Sequence, residues 1–586
     1  MNEEPLPAFE DSRRLPGPNR WFAGSAVVLT ALGADARGAA AHAAWAQRVR
    51  RLCAALRWPD PQPLTHGNTL AFAAPDDRLF TATEVNEWAW ERCVAVRGPL
   101  AEQGWARTQP ESDDIAALAP AFDARAAREV SRPLARLKAA AAQHGLPCLE
   151  DDDALSIGAG SGSRSWPRAA LPLPMDVPWA RLHDVPTVLV TGSNGKTTTT
   201  RLLAAMATAA GRTVGSCSTE GVVVGGHPVL LGDYAGPAGA RAVLRHAAVQ
   251  FAVLETARGG LLRRGLALRR AAAAVVTNVS ADHLGEYGIE SLEDIAHTKL
   301  VVAHALVPRG TLVLNAGDAV LMRTAAFAPH VQALRSAGRV ALFAQEHAHP
   351  LLAAHRAMGG RTCGVQEGRL ILAHRNDDLQ DLGPITALPL TLGGAAAFNV
   401  GNLGAAVLAA VAAGLPVAAI RKTLASFGAH PEDNPGRLER WAWHGATVLV
   451  DYAHNPDGLE QLLRVARALQ PARLGLLLGQ AGNRSDEAIA ELARTAAAFA
   501  PDRVLVKELP AMLRGRIPGQ VTALLRQALA DAGLAGGRIA FEADEAAAAH
   551  ALLAWAGPGD VVVLPVHTQA TRLALARTLQ GPSTSG

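Results

Sequence analysis

The feature that most constrains this chain is the segment VPTVLVTGSNGKTTTTRLLAAM, residues 185–206. Residues 185–190 are an apolar, largely β-branched run and read as a strand. Gly192 to Gly195 form a loop able to take positive φ. A helix follows from Thr197, with Leu202, Leu203 and Met206 on its apolar face. Such a unit aims successive backbone N–H groups and a helix N-terminus at one point, which favours phosphate. The pattern approaches GxxxxGK[ST], with Val190 standing where the first glycine belongs. On that pattern Lys196 reaches the β/γ-phosphates and Thr197 holds Mg²⁺. Gly192, Asn194, Gly195, Lys196, Thr197 and Thr198 are the candidate nucleotide-binding residues, and ATP with Mg²⁺ is the expected cofactor pair. The competing reading is an ordinary glycine-bearing βα turn. Such turns seldom carry Gly-Lys-Thr-Thr between a clean strand and a helix.

From Val185 onward apolar strands alternate with helices, the sign of a parallel α/β architecture. Phe251–Leu254 is a short apolar strand with Glu255 at its C-terminal end. Ala271–Val276 is another, followed by TNVSADH, so that Asp282 and His283 fall just past it. Open α/β sheets bind ligands at the C-terminal ends of their strands. Glu255 and His283 are therefore expected to converge with Thr197 on a metal. Taken alone, each would read as a turn or cap residue. A second strand–loop–helix series runs from about Ala446 to Leu564.

The chain has 586 residues, which suggests about three or four domains. Hydrophobic residues make up 49% and charged residues 19%, which excludes wholesale disorder. Aromatics are 4% and alanine dominates the apolar share, so cores with few large rings are expected. A net charge of +3 argues against a protein that coats a polyanion, and no nucleic-acid partner is expected. Five cysteines at irregular spacing, with no CxxC, argue against a zinc cluster or disulfide framework and point to a reduced, cytoplasmic setting. The N-terminus, MNEEPLPAFEDSRR, is no secretory signal. Leu382 to Ile420 carries no charge, but Asn399, Asn402, glycines and Pro416 interrupt it. It reads as a buried helix near 402–413 rather than a membrane span. Residues 151–174, acidic and then rich in Gly, Ser and Pro, read as a linker or irregular connector.

Together, TGSNGKTTT, the strand-end Glu255, TNVSADHLG with a later lysine, and DYAHNPDGLE resemble the Mur ligase family. Within it, ETARGGLLRRGL (255–266), SADHLGEYGIESLEDIAHTK (280–299), NPGRLERW (434–441) and VKELPAMLRGRIPG (506–519) are similar to the cyanophycin synthetase branch. RRLPGPNRWF (13–22), TATEVNEWAW (81–90) and SIGAGSGSRSWP (156–167) resemble stretches of that branch's N-terminal domain. The resemblance implies an α/β fold with three parts: a small α+β N-terminal domain over 1–165, a P-loop ATPase central domain over 166–430, and a Rossmann-like C-terminal α/β domain over 431–586. That branch carries an ATP-grasp domain between its N-terminal and Mur-like parts. Here Trp166 and Lys196 stand only about 30 residues apart, so the ATP-grasp domain is expected to be missing.

The resemblance also assigns roles. Lys196 and Thr197 bind phosphate and Mg²⁺. Glu255 and His283 serve a metal bridging the γ-phosphate and the acceptor carboxylate. Lys299 matches a lysine carbamylated in many Mur ligases, against a plain surface lysine as the alternative. Asn399 matches an adenine-contacting asparagine, with Phe398 where a histidine is usual. Arg437 and Asp451 match nucleotide contacts, and His454 and Asn455 in the same loop face the reaction centre. The implied activity is an ATP-dependent amide ligase that forms an acyl phosphate and joins an amino acid, arginine or a relative, to a carboxylate of a peptide-like acceptor. The alternative is an idle or partner-dependent scaffold or ATPase working with a separate ATP-grasp enzyme. A homo-oligomer and no membrane association are expected. Arg13, Arg14, Arg20, Arg48, Arg50 and Arg51 read either as an anionic-peptide patch or as solvated surface arginines.

Overall fold

The N-terminal 75 or so residues owe their shape to one strand that is apolar on both faces, Ala26–Ala31, all six of whose residues are buried. A computed structural model of the chain describes residues 8–33, 35–93, 114–281, 284–374 and 378–580. That strand lies inside a four-stranded antiparallel sheet, between Phe9–Leu15 and Thr69–Ala73, with Leu64–His66 at the far edge. Helices Ala39–Ala55, Leu79–Glu91 and Ile115–Glu129 share its core. The core holds Trp45, Trp88, Trp90, Phe72 and Phe122. The expectation of few large rings thus fails here, because the chain concentrates its scarce aromatics in one place. A buried indole N–H usually finds an acceptor, although those of Trp58 and Trp88 have none here. Trp45 Nε1 donates to Asn86 Oδ1 at 2.9 Å and Trp90 Nε1 to the Ala8 carbonyl at 2.8 Å.

Part of the expected connector is a small antiparallel sheet of Cys148–Glu150, Ala154–Ile157 and Arg164–Pro167. Its composition hid two buried apolar anchors, Leu155 and Ile157. Arg245 fastens it to the next layer. The guanidinium pairs with Asp151 and donates to Ser156 Oγ at 3.1 Å and the Ala154 carbonyl at 3.1 Å.

The large sheet has eleven strands. Seven run parallel, in the spatial order Val214–Ser218, Phe251–Glu255, Thr187–Thr191, Ala271–Val276, Leu306–Asn315, Val340–Glu346 and Arg361–Gln366. Two antiparallel strands extend each edge. Thr187–Thr191 is the first strand in sequence yet sits inside the sheet, with Phe251–Glu255 on one side and Ala271–Val276 on the other. Its flanking connections leave in opposite directions and open a crevice at its C-terminal end. Helices Lys196–Ala209 and Phe398–Ala412 pack together on one face. The second is the charge-free stretch, capped by Gly414 at φ +82°. Among the described residues no helix is long and apolar enough to cross a membrane.

The last sheet has six strands, ordered Glu439–Trp443, Ala446–Asp451, Val561–Pro565, Leu474–Leu478, Arg503–Lys507 and Ile539–Glu542. All are parallel except the first. Val561–Pro565, last in sequence, lies between Ala446–Asp451 and Leu474–Leu478. The loop after Asp451 therefore opens into a second crevice of the same kind.

Candidate functional site

The turn after Thr191 is built on two glycines that no other residue can replace without displacement. Gly192 has φ +154°, and a Cβ there would lie 1.7 Å from Thr277 Oγ1. Gly195 has φ +80°, and its Cβ would lie 2.1 Å from Asn402 Oδ1. Between them Ser193 and Asn194 are tied to the neighbouring strand end. Ser193 N–H donates to the Asn278 carbonyl at 3.0 Å, and Asn194 N–H donates to Asn278 Oδ1 at 2.8 Å. The helix then starts at Lys196, whose Nζ folds back to donate to the Ser193 carbonyl at 2.9 Å.

Thr197 Oγ1 donates to Glu255 Oε2 at 2.9 Å. Glu255 ends its strand fully enclosed, 1% exposed, and its second oxygen, Oε1, has no hydrogen-bond partner. Burial pushes this carboxyl up, against the opposing pull of Lys196, Arg437 and the Thr197 hydroxyl. A buried carboxylate oxygen left without a donor needs a cation or a proton. With the Thr197 hydroxyl beside it, the donor set is all oxygen, which suits Mg²⁺. Among the described residues no cluster of three His, Cys, Asp or Glu is arranged to hold a metal. The call on His283, like Asp282, lies outside the described residues.

The six-stranded sheet closes over this loop. Arg437 Nη2 donates to Thr197 Oγ1 at 3.3 Å and to Thr219 Oγ1 at 3.4 Å, and its guanidinium lies 4.6 Å from the Tyr452 ring centroid. Asp451 Oδ2 accepts from Leu438 N–H at 2.7 Å, and burial pushes its carboxyl up while Arg437 opposes. Both residues, with Lys196, Glu255, Lys299 and His454, line one cavity of about 2560 Å³. Lys299, on helix Leu292–Leu300, is 2% exposed, so it is not a plain surface lysine. His454 Nδ1 lies 3.1 Å from the Tyr452 carbonyl. Asn399 also lines the cavity, but its carboxamide is engaged at both ends: Nδ2 donates to the Leu390 carbonyl at 2.8 Å and Oδ1 accepts from Asn402 at 2.8 Å.

Several site residues were not singled out in the sequence. Asn434 Nδ2 donates to Thr198 Oγ1 at 3.2 Å, and Arg201 donates to the Pro435 carbonyl at 2.6 Å. Glu220 pairs with Arg572, and although burial pushes its carboxyl up, Arg572, Arg437 and Arg201 outweigh that and hold it low. Asn434 lies inside the quoted NPGR; Arg572 stands in an unremarkable helix and gave no signal. Beneath the loop 452–455, the buried Lys507 pairs with Glu545. Glu545 also accepts from His567 N–H at 2.8 Å, and His567 Nε2 meets the Ala453 carbonyl at 3.2 Å. Gln480 Nε2 donates to the His454 carbonyl at 2.9 Å. Three strand ends thereby fix the loop that carries His454.

The suggested arginine patch is divided. Arg13 donates to the Leu262 carbonyl at 3.0 Å and pairs with Asp11. Arg20 pairs with Asp294. Both side chains are enclosed against the large-sheet layer, while Arg50 and Arg51 are exposed on helix Ala39–Ala55.

Comparison with known proteins follows the two crevices. Residues 190–349 match the Mur ligase middle domain, and residues 436–565 match the Mur ligase glutamate ligase domain. The chain is 38% identical over 365 residues to cyanophycin synthetase of Synechocystis sp., covering 62% of this chain and 40% of that protein. It is 29% identical over 394 residues to the UDP-N-acetylmuramoyl-L-alanyl-D-glutamate--2,6-diaminopimelate ligase of Chlorobaculum tepidum, covering 64% and 70%. It is also similar to E. coli FolC in complex with ADP, at 20% identity and a TM-score of 0.48, over 67% of this chain and 89% of that one. The middle and C-terminal regions of this chain thus match the Mur ligase middle domain and the Mur ligase glutamate ligase domain.

Proposed function

We propose that this protein is an ATP-dependent ligase that joins an amino acid to a carboxylate of a peptide-like acceptor. The observation that carries the reading is the Thr197–Glu255 pair. It combines a helix-start hydroxyl with a buried carboxylate whose outer oxygen lacks a partner, at the mouth of a glycine loop. A carboxylate is a poor electrophile, so one acceptor oxygen attacks the γ-phosphorus of ATP and ADP leaves. The product is an acyl phosphate. An amine then attacks its carbonyl carbon, phosphate departs, and the amine gives up a proton. Mg²⁺, when bound, neutralises the phosphate charge that moves during transfer.

The chain's own residues have separate tasks in this scheme. The 192–195 loop and Lys196 cradle the phosphates, and Thr197 and Glu255 supply oxygen donors for the ion. Arg437 and Asp451 hold the nucleotide from the C-terminal side, as does Asn399 if its contact with Asn402 opens. His283 would add to the metal-binding set. His454 stands in the loop that faces the cavity and is the candidate to take the amine proton. Lys299 lines the same space and orients the acceptor, as an ammonium or as a carbamate. Enclosure between the two sheets keeps water from the acyl phosphate. The match to cyanophycin synthetase favours arginine or a basic relative as the amine. It also favours an acceptor made by another enzyme, such as one with an ATP-grasp domain. The domain division 1–165, 166–430 and 431–586, a homo-oligomer and a cytoplasmic setting belong to the same proposal.

The test supplies ATP, Mg²⁺, aspartate-containing peptides and single amino acids, and follows product mass. A gain of one amino acid minus water, with phosphate release that requires both acid and amine, is the expected result. Phosphate release without mass gain across all pairs would favour the partner-dependent ATPase instead.

A further inference from the structure

Asn194 stands between the two glycines of the phosphate loop, and its two halves face different layers. Its backbone belongs to the large sheet. The N–H donates to Asn278 Oδ1 at 2.8 Å, and the carbonyl accepts from Thr277 Oγ1 at 2.6 Å and Asn278 Nδ2 at 3.3 Å. Its side chain points across the seam. Asn194 Nδ2 donates to Asp457 Oδ2 at 2.7 Å, and Asn455 Nδ2 donates to Asn194 Oδ1 at 3.1 Å. Asp457 is in the first turn of helix Pro456–Ala468, and Asn455 caps that helix by accepting from Gly458 N–H at 2.8 Å. A Cβ at Gly458 would sit tight against Asn455 Oδ1 at 3.1 Å and in ordinary contact with Asn194 Oδ1 at 3.5 Å, so the glycine eases the cap.

Other contacts cross the same seam without doing this. Asn434 and Arg437 lie where the chain itself passes from one sheet to the other, beside the helix Lys196–Ala209. Arg572–Glu220 and Asn483–Glu286 join the layers away from the loop. The Asn194 pairs come about 20 residues beyond the crossing and join the two layers at the loop itself. They also end on the residue next to Gly195, whose conformation sets the phosphate cradle.

We propose that Asp457 is a positioning residue that latches the closed C-terminal sheet onto the phosphate loop through the Asn194 carboxamide. This rests on the ligase reading above, and it assigns Asn194 a docking role in addition to its place in the nucleotide loop. Docking through this pair holds the loop in the shape that phosphoryl transfer needs. Asp457 lines the edge of the same cavity, and as a latch it acts through Asn194 rather than on phosphate or acceptor. Its loss should lower turnover and leave nucleotide binding in place.

The experiment compares parent, Asp457→Ala and Asp457→Asn for ATP-dependent turnover and for small-angle scattering with Mg²⁺ and a non-hydrolysable ATP analogue. Losing one charge-assisted hydrogen bond should lower the kcat of Asp457→Ala about tenfold, with KM for ATP within about twofold. Asp457→Asn keeps an acceptor for Asn194 Nδ2 and should lose only about threefold. This isosteric variant carries the test if the alanine variant fails to fold. The nucleotide-bound parent should scatter as the more compact particle, and the alanine variant as a larger one. Turnover within twofold of the parent, a raised KM at unchanged kcat, or identical scattering would each overturn the latch. A parent that joins no acid–amine pair would instead overturn the ligase reading, and the scattering comparison would still decide the latch.

Discussion

Substituting Glu255 with glutamine should make the metal-free protein more stable and the working protein worse. In the parent, Oε1 is buried and unpartnered, a penalty of about 1–3 kcal/mol for a polar group. Glutamine keeps an oxygen to accept from Thr197 and removes the charge, while its own unmatched N–H gives part of the gain back. A net gain of about 1 kcal/mol should raise Tm in EDTA by about 2–4 °C for a domain of this size. The Mg²⁺ requirement should move the other way. A unit charge at 4 Å is worth at least about 1 kcal/mol, and a dication doubles it. That is about 2 kcal/mol, or about 30-fold more Mg²⁺ for half-maximal phosphate release. The stability gap should also depend on pH. Burial holds the folded carboxyl above its ordinary 4.5, so the native state keeps its proton where the unfolded chain has lost it. Below 4.5 both states are protonated and the two proteins melt alike. As pH rises through the folded value the parent alone carries a buried charge, so the gap opens with rising pH. A glutamine variant that melts below the parent in EDTA and needs no more Mg²⁺ would refute the reasoning.

Lys196→Ala should leave a folded protein whose ATP-dependent phosphate release falls on the order of 10²–10³, since a preorganised cation is lost; a parental rate would dismiss the assigned loop. Gly195→Ala forces a side chain into φ +80° and against Asn402 Oδ1. It should cost about 1–3 kcal/mol in denaturant unfolding and abolish nucleotide binding by calorimetry. Lys507→Met leaves Glu545 buried without its cation and should cost about 3–5 kcal/mol. Adding Glu545→Gln to it should restore most of the lost Tm.

The strand–turn–helix over 187–209 was legible because three short-range rules agree there: an apolar strand, glycines at the turn, and a helix start with a cation. Glu255 was legible for a related reason, as an acid at a strand end where the chain's pattern already marked a crevice. What escaped were facts of packing. Lys299 reads equally well as a solvated helix residue until the fold buries it at 2% exposure. Asn399 offers no sign in sequence that its amide is shared between Leu390 and Asn402. The connector over 151–174 was misjudged because Gly, Ser and Pro outnumber the two residues, Leu155 and Ile157, that build its sheet. Asn194–Asp457 joins residues 263 apart, a separation over which local patterning says nothing.

The anchoring of the N-terminal layer has a temporal consequence. Arg13 reaches the Leu262 carbonyl 249 residues onward, and Arg20 reaches Asp294 274 residues onward. At about 5–20 residues per second, a ribosome needs roughly 12–50 s to deliver Leu262 after Arg13 has emerged. During that interval the first sheet must hold itself together on its tryptophan-rich core while the arginines that will dock it remain in water. The concentration of Trp45, Trp88 and Trp90 within the first 90 residues supplies that early self-sufficiency. Slowing elongation before residue 262 should lengthen the life of a nascent chain whose first layer is folded and whose docking face is still protease-accessible.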